Sequence, residues 1–328
     1  MEQTNLSVTT YFIIIGFSDF PVLQTVISFL VLFVYLVTVS GNMTILLLVC
    51  QDQHLHTPMY FFICNLSILD ICCSTNNLHN ILISSVSRDN TISIAGCLIQ
   101  IFIFISLTCA ELLILVAMSY DRYVAICSPL YYNMIMNFPV CTLLAISCWV
   151  LGALESIPIF WELFKLTCFR SNTINHFFCD IMPVMKLTCS DTTFLDFYIL
   201  TLGVLVSAFS PFLFTVISYV FIIVSVLKIN TTTGRHKAFY TFSSYLTVFI
   251  LLYTTLAIQY LRPHSVINLD SNKPVSLLNT ATVSLLNPLI YSLKIKKIKK
   301  IIKKKKKSTP APPALAQRRK QASVWRQM

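Results

Sequence analysis

Long apolar runs separated by short polar segments set the pattern of this chain. A helix needs about 20 apolar residues to cross a bilayer core. Seven runs reach that length, at roughly 22–50, 59–82, 92–120, 140–160, 194–227, 238–261 and 275–293. The second and seventh are the weakest. The second ends in Ser74-Thr75-Asn76-Asn77, and the seventh contains Asn279, Thr280 and Asn287. Polar atoms inside a span should face other helices or water, because lipid offers them no partner. The pattern predicts an all-α membrane protein, a bundle of seven transmembrane helices over residues 22–293. A short segment, 1–21, precedes it, and a basic tail, 294–328, expected to be disordered, follows.

Composition agrees. Hydrophobic residues make up 56% of the chain and charged ones 11%, with a mean hydropathy of +0.74. A soluble domain of this size could not cover its surface with so few charges. The net charge of +11 is uneven. Residues 294–328 hold 14 of the 24 Lys and Arg and no acid. The basicity therefore gives no sign of a nucleic-acid surface on the body. A basic tail beside a membrane fits a cytoplasmic segment facing anionic lipid. The first 20 residues lack the basic start, apolar core and cleavage site of a signal peptide. The first span is expected to act as its own insertion signal.

An odd number of spans puts the termini on opposite sides. With the N-terminus outside, 18 Lys and Arg lie inside and six outside, which favours a cytoplasmic C-terminus. The tail carries this count. Asn5-Leu6-Ser7 is a glycosylation sequon in the N-terminal segment. Of 12 cysteines, Cys97, Cys168, Cys179 and Cys189 fall outside or at the outer rim. Outside the cell they can pair, in any of three connectivities.

Five strings coincide with these spans. Met-Ser-Tyr-Asp-Arg-Tyr-Val-Ala-Ile-Cys (118–127) closes the third, and Thr-Pro-Met-Tyr-Phe-Phe (57–62) opens the second. Asn-Pro-Leu-Ile-Tyr-Ser (287–292) closes the seventh, and Arg-His-Lys-Ala-Phe (235–239) opens the sixth. His-Phe-Phe-Cys-Asp (176–180) lies in the long loop after the fourth. The set resembles the vertebrate olfactory receptors of the rhodopsin-like G-protein-coupled receptors, over about residues 5–293. The resemblance implies small odorants bound in the outer half of the bundle. It also implies a stimulatory, olfactory-type G protein activated inside, raising cyclic AMP, at the plasma membrane of olfactory sensory neuron cilia. It pairs Cys97 with Cys179 and Cys168 with Cys189. No cofactor is expected.

Asp121-Arg122-Tyr123 is read as a switch. Arg122 is held by Asp121 when silent and released toward Tyr219, Tyr291 and the G protein when active. The alternative is an ion pair that only orients the helix. Asn42, Asp70, Glu111 and Asn287 lie at mid-span depth on four helices. They are expected to meet in a hydrated network, with Asp70 and Glu111 as candidate sodium ligands; a purely structural cluster is the alternative. Those two carboxyls are also expected to share a proton, since two unscreened charges repel.

Counting back from Arg122 by helical steps puts Glu111, Thr108 and Phe104 on one face, with Ile105 and Cys109 beside them. By resemblance, Gly203, Val206 and Ser207 of the fifth span and Tyr253, Leu256 and Ala257 of the sixth complete a ligand cavity. Its wall reads as apolar with a few hydroxyls and no central charge, which suits a small neutral molecule. Simple helix packing is the alternative for each residue. Pro58, Pro211 and Pro288 permit kinks, read as hinges or static bends.

The chain departs from the family at Tyr240, Phe242, Tyr245, Thr254, Val283-Ser284 and residues 128–131. Ile295, Ile298, Ile301 and Ile302 recur at helical spacing with Lys opposite, which suits a helix lying on the inner leaflet. From Lys303 onward nothing resembles the family. A channel or transporter would want inverted repeats or a chain of intramembrane charges. An enzyme would want metal-ligand spacing, a nucleophile elbow or a phosphate loop. None of these is present in the sequence.

Overall fold

The computed structural model describes residues 10–16, 21–87, 90–166 and 168–228, and 246, 247, 249, 250, 253 and 254 of the sixth predicted span. The rest of that span, the seventh span and the tail lie outside the described residues.

Among the described residues, five helices are long and apolar enough to cross a membrane: Thr25–Gln51, Pro58–Leu78, Ile94–Cys127, Phe138–Phe164 and Thr193–Leu227. The elements that contain them are α1 (Pro21–Gln51), α2 (Pro58–Ser87), α3 (Ile94–Cys127) and α5 (Phe138–Phe164), and in the fifth α7 (Thr193–Tyr198), a π-helical stretch (Ile199–Phe209) and α8 (Ser210–Leu227). Between α3 and α5 lies the single turn α4 (Tyr132–Ile135), and α6 (Ile181–Leu187) lies in the following loop. The third helix runs seven residues past the predicted end at 120, so Asp121-Arg122-Tyr123 is helical.

Sequence sets several of these ends. Ser93 caps α3 by accepting from the Gly96 N–H at 3.1 Å. Asn137 caps α5 through the Val140 N–H at 3.0 Å, with Pro139 in the first turn. Both satisfy backbone donors that a helix start leaves open.

The most apolar window of α3 is 61% buried inside the bundle, against 28% in α1 and in α5. α3 is therefore the axis, and the flanking helices turn large apolar side chains outward. Phe29, Phe33, Trp161 and Phe164 are more than half exposed. Lipid is the solvent that such a surface fits.

The tightest seam joins α3 to α5. A Cβ added at Gly152 would stand 2.6 Å from the Ser106 carbonyl oxygen and 2.8 Å from the Ala110 nitrogen. The Ser106 and Ser156 hydroxyls hydrogen-bond across the seam at 2.5 Å. Small residues let two membrane helices approach this closely.

The polar run of the second span is turned inward. Asn76 donates to the Gln100 carbonyl of α3 at 3.1 Å, and Gln100 Nε2 donates back to the Asn76 carbonyl at 2.6 Å. Thr75 meets Tyr35 of α1 at 3.3 Å. These bonds supply the partners that lipid could not.

The all-α expectation needs one amendment. At one end of the bundle a small sheet forms from β1 (Tyr11–Ile14), β2 (Thr91–Ser93) and β3 (Thr173–Ile174), in the order β2-β1-β3. Phe12 is fully buried beneath it, edge-on to Phe169 at 5.0 Å. Strands of two to four residues leave no periodic signal, and these find partners about 80 and 160 positions away. Both disulfides lie at this end: Cys97–Cys179, Cα atoms 5.4 Å apart, and Cys168–Cys189, 5.5 Å apart.

Candidate functional site

α3 links two polar constellations. At its disulfide end, α3, α5, α6 and the fifth span enclose a cavity of about 350 Å³, with Tyr253 of the sixth also on its wall. Its position follows from the covalent tie. Cys179 is bonded to Cys97 on α3. The next residue, Asp180, caps α6 through the Ile181 N–H at 2.7 Å, and Ile181 lines the chamber. Gln100 reinforces the tie, its Oε1 accepting from the Cys179 N–H at 3.1 Å. His176, Phe177 and Phe178 pack together as a buried aromatic plug, and Phe178 meets Phe104 edge-on at 5.6 Å.

Seven of the ten candidate ligand residues border this cavity: Phe104, Ile105, Thr108 and Cys109 of α3, Gly203 and Ser207 of the fifth span, and Tyr253. Leu256 and Ala257 lie outside the described residues. Val206 is a correction. It is 53% exposed on the outer face of the bundle and does not line the chamber.

The reason is the winding. Over Ile199–Phe209 the backbone is π-helical, and i→i+5 bonding lengthens the repeat beyond the 3.6 residues of an α-helix. The wall on this span is made by Ile199, Gly203 and Val204, Ser207 to Phe209, and Phe212, in groups four to five residues apart. The resemblance had placed Val206 on this wall, and the winding turns it to the outer face instead.

Side chains sustain the wide turns. Ser207 Oγ lies 2.8 Å from the Leu202 carbonyl, five residues back. A π-turn acceptor at Val206 would look to residue 211 for its donor, but Pro211 has no N–H. The Ser210 hydroxyl donates to that carbonyl instead, at 2.6 Å. Pro211 thus stands at the change from π to α winding, in the first turn of α8.

One polar residue of this region escaped the sequence reading. Glu155, on α5, lies directly behind the wall. Its Oε1 accepts from the Ser207 hydroxyl, the Cys109 thiol donates to the same carboxyl, and Tyr198 donates to the Glu155 carbonyl at 3.1 Å. The signal was available, since a carboxyl inside an apolar span marks a functional candidate. It was averaged into the hydropathy of the fourth span.

At the other end of α3, Asp121 is fully buried. Arg122 Nε donates to Asp121 Oδ2 at 2.8 Å, and the guanidinium Nη2 donates to the same oxygen. Tyr132 of α4 donates to Asp121 Oδ1 at 2.7 Å. Burial first, then the Asp121 charge, push the Tyr132 phenol well above its usual range, so it remains a donor. Tyr123 packs edge-on against Phe221 of α8 at 6.0 Å, and Cys127 meets Ser225 at 3.1 Å. Tyr132 was missed because nothing in its local string shows that it returns to Asp121.

Between the two ends, Asn42, Asp70 and Glu111 are buried on α1, α2 and α3. Asn42 donates to the Thr38 carbonyl of its own helix at 3.1 Å. Among the described residues, no three His, Cys, Asp or Glu side chains converge as a metal site. Asn287, Pro288, Tyr291 and the sequon at Asn5 lie outside the described residues.

Comparison with known proteins agrees with the five strings. The family described as "Olfactory receptor" matches residues 31–307. Human olfactory receptor 5A1 is 44% identical over 295 residues, 90% of this chain and 93% of its own. Human olfactory receptor 5G3 is 40% identical over 299 residues, 91% and 95% of the two chains. Mouse olfactory receptor 9G19 is 41% identical over 305 residues, 92% and 98%. The chain belongs to the olfactory receptor family, and its apolar helices are those of a membrane protein.

Proposed function

We propose that this receptor binds small, neutral, apolar odorants in the chamber beside Phe104, Thr108 and Ser207, and signals through Arg122 to a stimulatory, olfactory-type G protein that raises cyclic AMP. The observation that carries this is the chamber itself. It holds about 350 Å³ under a disulfide-tied loop, within the range of small-molecule sites, and its wall is overwhelmingly apolar. The same helix that forms its wall carries the Asp121–Arg122 pair in its last turns. A ligand that shifts α3 against the fifth span therefore acts on both ends of one rigid element.

In the silent state Asp121 and Tyr132 hold the latch. Activation releases Arg122 toward Tyr219 and Tyr291, freeing the inner face for the G protein. Asn42, Asp70, Glu111 and Asn287 form the hydrated path between the ends, where Asp70 and Glu111 would ligate a sodium ion. The seven-span plan puts the N-terminus, with Asn5 glycosylated, outside and the basic tail against the inner leaflet. The site of action is the plasma membrane of sensory cilia.

A cyclic-AMP reporter screened over an odorant panel tests this, with surface labelling in parallel. Odorant-dependent signal that Arg122→Ala abolishes at equal surface level is expected. A surface-labelled receptor that no odorant activates, or a current that needs no G protein, refutes it.

A further inference from the structure

The polar protons around the chamber are turned away from it. Thr108 donates to the Phe104 carbonyl at 2.9 Å, one turn back on α3. Ser207 has one proton for two acceptors behind the wall, Glu155 Oε1 and the Leu202 carbonyl at 2.8 Å, and the Cys109 thiol donates to the same carboxyl. All three side chains line the cavity, and Glu155 stands behind two of them. What they leave toward the ligand are lone pairs on oxygen and sulfur. Tyr253, across the chamber, has a phenol with no partner among the described residues. A phenol can donate or accept, so it does not discriminate.

We propose that Glu155 is a positioning residue that makes this wall an acceptor surface, so that the chamber selects small apolar alcohols over the ketone or ether of the same skeleton. The inference rests on the odorant reading above and sharpens it to a chemical class. The physical basis is the asymmetry of unpaired polar groups. A ligand hydroxyl can donate to Ser207 or Thr108 without disturbing their existing bonds. A ketone or ether brings a second acceptor against them and can take a proton only from Tyr253 across the chamber, whereas an alcohol can bond on either side. A primary amine gains no direct ion pair, because Ser207 and Cys109 stand between the chamber and the carboxyl.

The test uses the full chain in the reporter assay, with matched sets of secondary alcohol, ketone, methyl ether and primary amine. The skeletons are linear, branched and cyclic, with 2-octanol and its partners as one set. In sets that signal, the alcohol should have an EC50 about tenfold below the ketone and ether. Glu155→Met removes the carboxyl with a side chain that suits the span; it frees the Cys109 proton and leaves Ser207 only the Leu202 carbonyl, and should narrow the gap to about threefold or less. Glu155→Gln keeps an oxygen that accepts from Ser207 and should preserve most of the preference. A merely structural role would shift all ligands together and leave the ratios unmoved. Should Glu155→Met fail to reach the surface, Ser207→Ala should narrow the ratio in its place.

An alcohol-to-ketone ratio unchanged in the substituted receptor overturns the proposal. So does a wild-type preference for the ketone, the ether or the amine. Silence of every set and every other odorant at normal surface level has a different meaning, because it removes the odorant reading itself.

Discussion

The two ends of α3 solve the same problem in opposite ways. Each buries polar side chains in a region that water leaves. At the arginine end the answer is compact: one carboxylate takes two bonds from the adjacent guanidinium and one from Tyr132. At the chamber end the polar groups are dispersed, and each proton is sent backward into carbonyls or Glu155. The first arrangement stores a charge pair that can be separated. The second leaves a cavity whose wall is dry and whose few polar atoms have fixed roles. A switch needs the former and a selective pocket the latter.

The seam that holds both ends in register is the place to break the comparison altogether. At Gly152 any Cβ meets backbone atoms at 2.6 and 2.8 Å, and backbone cannot rotate out of the way. Gly152→Val should force α5 off α3, at a cost of about 3 kcal/mol or more. Surface-labelled receptor should fall at least about tenfold, with chamber and latch lost together. Normal surface level and normal signalling would mean that α3 and α5 are not this close in the membrane.

Asp121→Ala breaks one end only. It leaves Arg122 buried at the end of α3 without its carboxylate, a change worth about 3–5 kcal/mol when both partners are desolvated. Arg122 is 13% exposed at the side chain, so the lower figure is the relevant one. Basal cyclic AMP, normalised to surface level, should rise several-fold while the ligand rank order stays fixed. A changed rank order with unchanged basal signal would reverse the roles of the two ends.

These ends were not equally legible in the sequence. Asp-Arg-Tyr is contiguous, so its pairing needs no long-range information. The cysteine pairs came with the family resemblance, and the structure brings those same cysteines together. The polar run of the second span was rightly expected to face other helices, because lipid offers no alternative. Counting by turns reached the chamber on its α3 side, where the backbone winds as an α-helix, and the resemblance supplied Gly203, Ser207 and Tyr253. On the fifth span the residues came from the resemblance, which placed Val206 on the wall; no residue pattern announced the π winding that turns it outward. Glu155 was hidden by averaging, and the β1–β2–β3 sheet by the shortness of its strands. In each case the missing information was tertiary: which carbonyl lost its donor, or which distant segment lay alongside.

The winding itself can be tested by moving one bulky side chain around the fifth span. Ala208 borders the cavity, whereas Val206, two residues earlier, is exposed. Ala208→Phe should fill part of a 350 Å³ space and weaken ligand potency about tenfold or more. Val206→Phe should face lipid and change potency less than about twofold. On an α-helical fifth span the two outcomes would be exchanged, which makes the pair diagnostic.

The smallest expected effect belongs to Tyr132→Phe, and it separates a latch from a simple ion pair. The substitution removes one hydroxyl and nothing else from Asp121. The bond it deletes, at 2.7 Å to a fully buried carboxylate, is charge-assisted and contributes about 1.5–3 kcal/mol in such settings. Asp121 keeps Arg122, so most of the latch persists. If Asp121 restrains Arg122 only while Tyr132 steadies it, basal cyclic AMP should rise about two- to threefold with no change in surface level. A smaller rise than for Asp121→Ala, in the same direction, places the two residues on one device. No rise at all, at equal surface level, would make the contact of α4 with α3 a fixed brace and confine the switch to Asp121 and Arg122.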